Sequence, residues 1–296
     1  MTWLVYAITG MTIWSLASIG DKFFLLKHVK SKRFYVVVPA TVQFIVTLPF
    51  VALFSVPHVT LSVFASAFAS GVAEVVLLYY LYVAISFEEV SRVFSLTSIG
   101  PILTLVLGWF FLHETLSNRE LLAFVLFLIG GLVLAAKSGS GRVRASKAIK
   151  PLLIGSIFFS GFTLLLRYAF VSSDFWAGFF YSRLGFFVGG LVVFLFFREE
   201  IVEEWHSLRS PVRLGIVGNQ IMSTSGHAFY FLSISLANAA LVQSVLGAQS
   251  AIILLFALIV SIWKPDILDE SLEPRDLVQK GIGVAFVVAA SYLLAS

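Results

Sequence analysis

Long apolar runs broken by short polar turns fill almost the whole chain. "LLAFVLFLIGGLVLAA", residues 121–136, is typical: no charge interrupts it, and it lacks the polar–apolar alternation of a membrane β-barrel strand. Apolar helical stretches of about 20 residues match the roughly 30 Å hydrocarbon core of a bilayer. Reading from one polar break to the next predicts ten helices. The first five lie at about 2–26, 34–56, 60–86, 89–112 and 119–136. The second five lie at about 150–170, 175–197, 211–235, 238–263 and 276–295. "KSGSGRVRASK", residues 137–147, has the composition of a flexible linker and falls near the midpoint.

One polar turn is used twice. "HETLSNREL", residues 113–121, and "DESLEPRDL", residues 269–277, align Glu114 with Glu270, Leu116 with Leu272, Arg119 with Arg275 and Leu121 with Leu277. Each copy sits between the fourth and fifth helix of its own half. Weaker matches follow in the same order: Trp14 falls on Phe159, Lys22 on Arg167, Gln43 on Arg183, and Ser86 and Ser95 on Ser235 and Ser244. The second half carries an insertion near "KPDILD". Five crossings is an odd number, so the second copy enters the membrane from the opposite side. The predicted architecture is an all-α membrane protein of ten transmembrane helices in two inverted five-helix repeats, residues 1–141 and 142–296. Inverted repeats are a recurrent plan for secondary transporters, because rocking one half against the other gives alternating access to a midplane site. A duplication that merely doubles a stable bundle is the plainer alternative.

Composition agrees with this pattern. The chain is 59% hydrophobic and 12% charged, with mean hydropathy +0.98, whereas a soluble domain carries about 25% charged residues. The absence of cysteine excludes disulfides, thiolate metal sites and cysteine nucleophiles. No basic stretch precedes the first helix and no small-residue cleavage site follows it, which reads as a retained span rather than a signal peptide. The pI near 9.3 comes from Lys and Arg in short loops, so membrane topology explains it better than nucleic-acid binding. One face collects the basic loops around residues 22–33, 137–150, 198–213 and 264–275, while the loops of the other carry only Arg119. The positive-inside rule then puts the basic face in the cytoplasm and both termini outside.

Trp14 and "SLTSIGPILTLVLGWFFLHETLS", with Pro101 after small residues and a Glu-x-Leu-Ser turn running into "LLAFVLFLIGGLVL", carry a resemblance. So does "DESLEPRDL" followed by "KGIGVAFVV". The chain resembles the EamA-type family of the drug/metabolite transporter superfamily over essentially its whole length. That resemblance implies a multi-pass cell-membrane transporter. The second half departs from the pattern: Ser250 stands where Pro101 predicts proline, and Phe159 where Trp14 predicts tryptophan. Proteins of this family are usually drawn with both termini inside, opposite to the charge asymmetry.

An ionisable side chain at mid-membrane costs several kcal/mol and is a functional candidate by default. Glu74, Arg183 and Gln43 lie deep in the third, seventh and second helices. They pair as a structural salt bridge or line a substrate cavity, with Arg183 meeting an anionic group and Glu74 an amine or a proton. The cavity reading expects Glu74 not to be locked to Arg183. Gln220, Thr224 and His227, spaced four then three, share one stripe of the eighth helix. Asn238 and Gln249 share a face of the ninth. Ser91, Ser95 and Ser98 share a face of the fourth, where small residues more often mark tight packing. Tyr79, Tyr82, Tyr168 and Tyr181 stack on a ligand or form an interfacial belt. Lys22 and Arg167 sit near helix ends, where long side chains snorkel to headgroups, and Arg92 stands similarly beside Glu88 and Glu89. "GFFVG", residues 185–189, permits close backbone approach inside the bundle or in a homodimer. Pro101 predicts a kink in the fourth helix.

The substrate-binding candidates are therefore Trp14, Gln43, Glu74, Tyr79, Arg183, Gln220, His227 and Gln249, with no catalytic, metal or cofactor site. "HETLS" lacks the second His of a zinc motif, and no G-x-S-x-G, P-loop or ATP-binding domain occurs. Transport must then draw on gradients or exchange, with protons a candidate partner. The expected function is secondary transport of a small polar or amphipathic metabolite, amino-acid-like compounds included. The alternatives are an anionic metabolite exchanger and a non-transporting membrane scaffold.

Overall fold

The computed structural model describes residues 2–54, 58–88, 90, 93–94, 97, 99–135, 147–263 and 274–295. All regular structure among them is helical. The first half holds α1 (Thr2–Lys27), α2 (Lys32–Phe54), α3 (Leu61–Ile85), α4 (Ile99–Leu112) and α5 (Asn118–Ala135). The second holds α6 (Ile149–Ser172), α7 (Phe175–Phe196), α8 (Arg198–Ser207), α9 (Ser210–Leu236), α10 (Ala239–Ser244), α11 (Leu246–Trp263) and α12 (Pro274–Ala295). Among the described residues, six stretches are long and apolar enough to cross a bilayer: Thr2–Lys27, Leu61–Ile85, Ile149–Ser172, Phe175–Phe196, Ala239–Phe256 and Val278–Ala295. The linker 137–147 lies outside the described residues except for Lys147. The second polar turn lies outside them through residue 273, as do Ser91, Ser95, Ser98 and Arg92.

The local chemistry of the first polar turn is explicit. His113 adopts a left-handed backbone (φ 53°) just after α4, and the Glu114 amide turns back to the Gly108 carbonyl at 3.2 Å, closing the helix end. Four residues on, the Ser117 backbone N–H donates to Glu120 Oε2 at 2.9 Å and the Glu120 N–H donates to Ser117 Oγ at 3.3 Å. That capping box starts α5. The kink expected at Pro101 concerns a longer fourth helix, part of which (residues 95, 96 and 98) lies outside the described residues. Pro101 stands in the first turn of α4, where a missing amide proton costs nothing. The ninth predicted helix is not continuous. It divides into α10 and α11 around Val245, with Asn238 capping α10 by accepting from the Ala240 and Leu241 amides at 2.9 and 3.3 Å.

Between the seventh and eighth predicted helices the chain forms an additional polar helix, α8. Its acids close the α1–α2 turn: Glu204 accepts from the Lys30 and Ser31 amides at 2.9 and 3.3 Å, and Glu200 pairs with Arg33 at 2.7 Å. The Ser31 hydroxyl and then Arg33 hold the Glu200 carboxyl below the usual carboxylate range against its partial burial.

Packing runs across the two halves of the chain. The most extensive contacts join α3 to α6 and α7, α1 to α9 and α11, α5 to α12, α2 to α7, and α4 to α6. Glycine permits the closest of these. A Cβ at Gly71 would collide with the Ser182 carbonyl, and one at Gly185 with the Phe68 carbonyl, so α3 and α7 touch through their backbones. Gly189 rests against Val75 on the same face, so the 185–189 motif is used inside the bundle. Likewise a Cβ at Gly10 would sit 3.0 Å from the Gly226 carbonyl oxygen, joining α1 to α9.

Candidate functional site

These two glycine contacts place the polar side chains. One turn beyond Gly71 stands Glu74, and two residues before Gly185 stands Arg183, so backbone contact between α3 and α7 brings the pair together. Arg183 is fully buried and Glu74 is 1% exposed. Arg183 Nη2 donates to Glu74 Oε2, and Nη1 to Glu74 Oε1 at 3.3 Å and to Gln43 Oε1. The guanidinium carbon also lies 4.7 Å from the centre of the Phe231 ring. The expectation that Glu74 stands free of Arg183 is therefore corrected. A bidentate fork satisfies the geometry of both groups in a medium where neither tolerates isolation.

His227 has the partners that its sequence context did not reveal. Its Nε2 lies 2.8 Å from Glu74 Oε1. The Trp14 indole, which can only donate, reaches His227 Nδ1 at 3.0 Å and the Ser223 carbonyl at 3.2 Å. A neutral ring accepts from Trp14 at Nδ1 and keeps its proton on Nε2 facing Glu74. A protonated ring would donate from Nδ1 to the Ser223 carbonyl, 2.9 Å away, and the indole would keep only that carbonyl. Trp14 lies against Gly226, whose missing side chain makes the room.

These residues surround a cavity in which about 80 Å³ is open to the centre of a water-sized sphere. Trp14, Gln43, Glu74, Gln220, His227 and Gln249 line it, together with apolar walls from Leu77, Leu78, Leu81, Phe159 and Phe162. Arg183 stands just behind that lining. Tyr79 does not line it: its ring meets Tyr80 edge-on at 5.4 Å and packs on the apolar cluster around Tyr35 and Tyr82. Asn238 serves as the α10 cap. Tyr82 lines the cavity, and so do Asp21, Ser18, Thr97 and Ser223. Asp21 was missed because it precedes Lys22 near a helix end and reads as part of a solvated terminus. In the fold it is 8% exposed.

Lys22 and Arg167 are not snorkelling. Lys22 is 3% exposed and donates to the Glu88 carbonyl at 3.4 Å. Arg167 Nε donates to Glu114 Oε1 at 2.6 Å, and its Nη1 to the Ile234 and Ser235 carbonyls at 2.8 and 2.9 Å. Glu114 Oε2 accepts from the Ala239 amide at 3.1 Å. The repeated turn of the first half is thereby latched to α6, α9 and α10.

Residues 1–136 match the EamA-like transporter family. That match spans the chain through the end of α5 and leaves the second half unmatched. A crystal structure of a protein superposes with TM-score 0.64 at 14% identity, covering 99% of this chain and 94% of that one, a likeness of fold alone. No curated protein matches the chain.

Proposed function

We infer that this EamA-like chain is a secondary transporter that moves a small polar or amphipathic metabolite across the cell membrane by alternating access. The observation that carries the reading is the cavity itself. Polar side chains of α1, α2 and α3 face those of α9 and α11 around a space deep inside an apolar bundle, where a scaffold would gain nothing from the cost.

The inter-half packing supports the two inverted repeats, residues 1–141 and 142–296. If helices one to five correspond to six to ten, the contact of α3 with α6 becomes that of α9 with α1. The contact of α4 with α6 becomes that of α11 with α1, while α2–α7 and α5–α12 map onto themselves. A two-fold relation requires pairs of this kind. The anion-exchanger alternative is weakened, because no described Arg or Lys lines the cavity and Arg183 is neutralised by Glu74.

The chain lacks cysteine, so Ser223→Cys gives a single reporter in the cavity. In proteoliposomes, a membrane-impermeant thiol reagent added to either side should label it, with a transported metabolite slowing both reactions. Labelling from one side only, or from neither, overturns alternating access through this cavity.

A further inference from the structure

Two carboxylates line the cavity, and they are not equivalent. Both oxygens of Glu74 are committed to Arg183 and His227. Asp21 uses one. Its Oδ1 accepts from Tyr35 Oη at 2.8 Å, Asn219 Nδ2 at 2.7 Å and Gln220 Nε2 at 3.0 Å. Its Oδ2 has no hydrogen bond or ion pair among the described residues. The Lys22 ammonium, next along α1, goes to the Glu88 carbonyl instead. Three neutral donors orient the Asp21 carboxyl group, and none of them brings a counter-charge. A buried charge without a counter-charge is costly.

Resting on the transport reading above, we propose that Asp21 Oδ2 is the substrate's cation site and that it binds a protonated organic amine. A metal ion fits poorly. Hard cations need six or more oxygen ligands, whereas the groups on Asp21 present hydrogens, and the described residues hold no cluster of three metal-ligating acids or histidines. An ammonium needs only acceptors, and its carbon body suits the walls of Leu77, Leu78, Leu81 and Phe159. Gln249 supplies a second polar contact. It is fully buried, lines the same cavity, and neither atom of its amide has a partner. The substrate class is an amine with a compact apolar body and a second polar group.

The test uses three probes on one body, measured by calorimetry with the full chain in lipid nanodiscs: phenethylamine, 2-phenylethanol and 3-phenylpropionate. Phenethylamine should bind about tenfold or more tighter than the other two, the least that a charged hydrogen bond supplies. Asp21→Asn keeps an acceptor for Tyr35, Asn219 and Gln220, so the fold should persist, yet the amine's advantage should vanish. Tyr35→Phe, which removes one orienting donor, should cost less. Tightest binding of the acid, equal binding of all three, no binding by any, or an unchanged amine preference in Asp21→Asn each overturns the proposal. Labelling of Ser223→Cys in proteoliposomes reports separately. A cavity reached from both sides with no amine preference sinks the amine site and leaves the transport reading standing.

Discussion

Arg183 and Glu74 set the energetics at the scale of single residues. Removing one member of a buried pair strands the other, at about 3–5 kcal/mol, while replacing both by apolar residues of similar size is often neutral. Glu74→Leu should therefore lower the melting temperature in detergent sharply, and Glu74→Leu with Arg183→Met should recover most of it. Equal losses in the single and double variants would mean that the Gln43 and His227 contacts, not the ion pair, hold the site. The sequence shows that these charges are deep, because nothing apolar explains them. It does not show which oxygen meets which nitrogen, since that depends on Gly71 and Gly185 bringing two helices into backbone contact more than a hundred residues apart. Asp21 was illegible for a related reason. A lone acid beside a lysine near a helix end looks solvated until Tyr35, Asn219 and Gln220 converge on it from other helices.

At the scale of elements, hydropathy locates most of the helices correctly because a bilayer demands long uninterrupted apolar runs. It misses what runs do not encode: the division at Val245 and the polar α8. Helix contact is set by small residues instead. Gly71→Val or Gly185→Val should cost about 1–3 kcal/mol or more through overpacking, read as lost monodisperse protein or a lowered melting temperature. Gly161 has nothing within 4 Å of where a Cβ would stand, so Gly161→Ala should stabilise by up to about 1 kcal/mol. Comparable damage at all three would show that glycine there serves flexibility and not close approach. The Glu114–Arg167 latch is a second element-scale device. With side chains only 14–15% exposed, it holds the first polar turn against α6, α9 and α10. Glu114→Gln should loosen that end, and the Ser223→Cys reporter should react about fivefold faster there, the effect of ~1 kcal/mol. An unchanged rate would reduce the latch to a static contact.

For the whole molecule, the charge map makes an orientation testable on described, exposed positions. Thr115→Cys sits in the turn of the face poor in Lys and Arg, and Ser207→Cys at the end of α8 on the basic face. In intact cells the first should react with an impermeant thiol reagent and the second should be shielded. The reverse pattern would place both termini in the cytoplasm, and reaction of both would break the odd crossing number that the proposed inverted repeats require.

The cross-half pairing also bears on how the protein is made. Two first-half acids find their partners late: Glu74 waits 109 residues of synthesis for Arg183, and Glu114 waits 53 for Arg167. While the ribosome is still translating the second half, α3 rests in the membrane with an unsatisfied acid and a bare glycine face. The nascent first half is thus an orphan that needs shelter from the insertion machinery, and one that quality control will recognise if translation stops early. Severing the chain within residues 137–146 and supplying both pieces together should rescue what neither piece achieves alone.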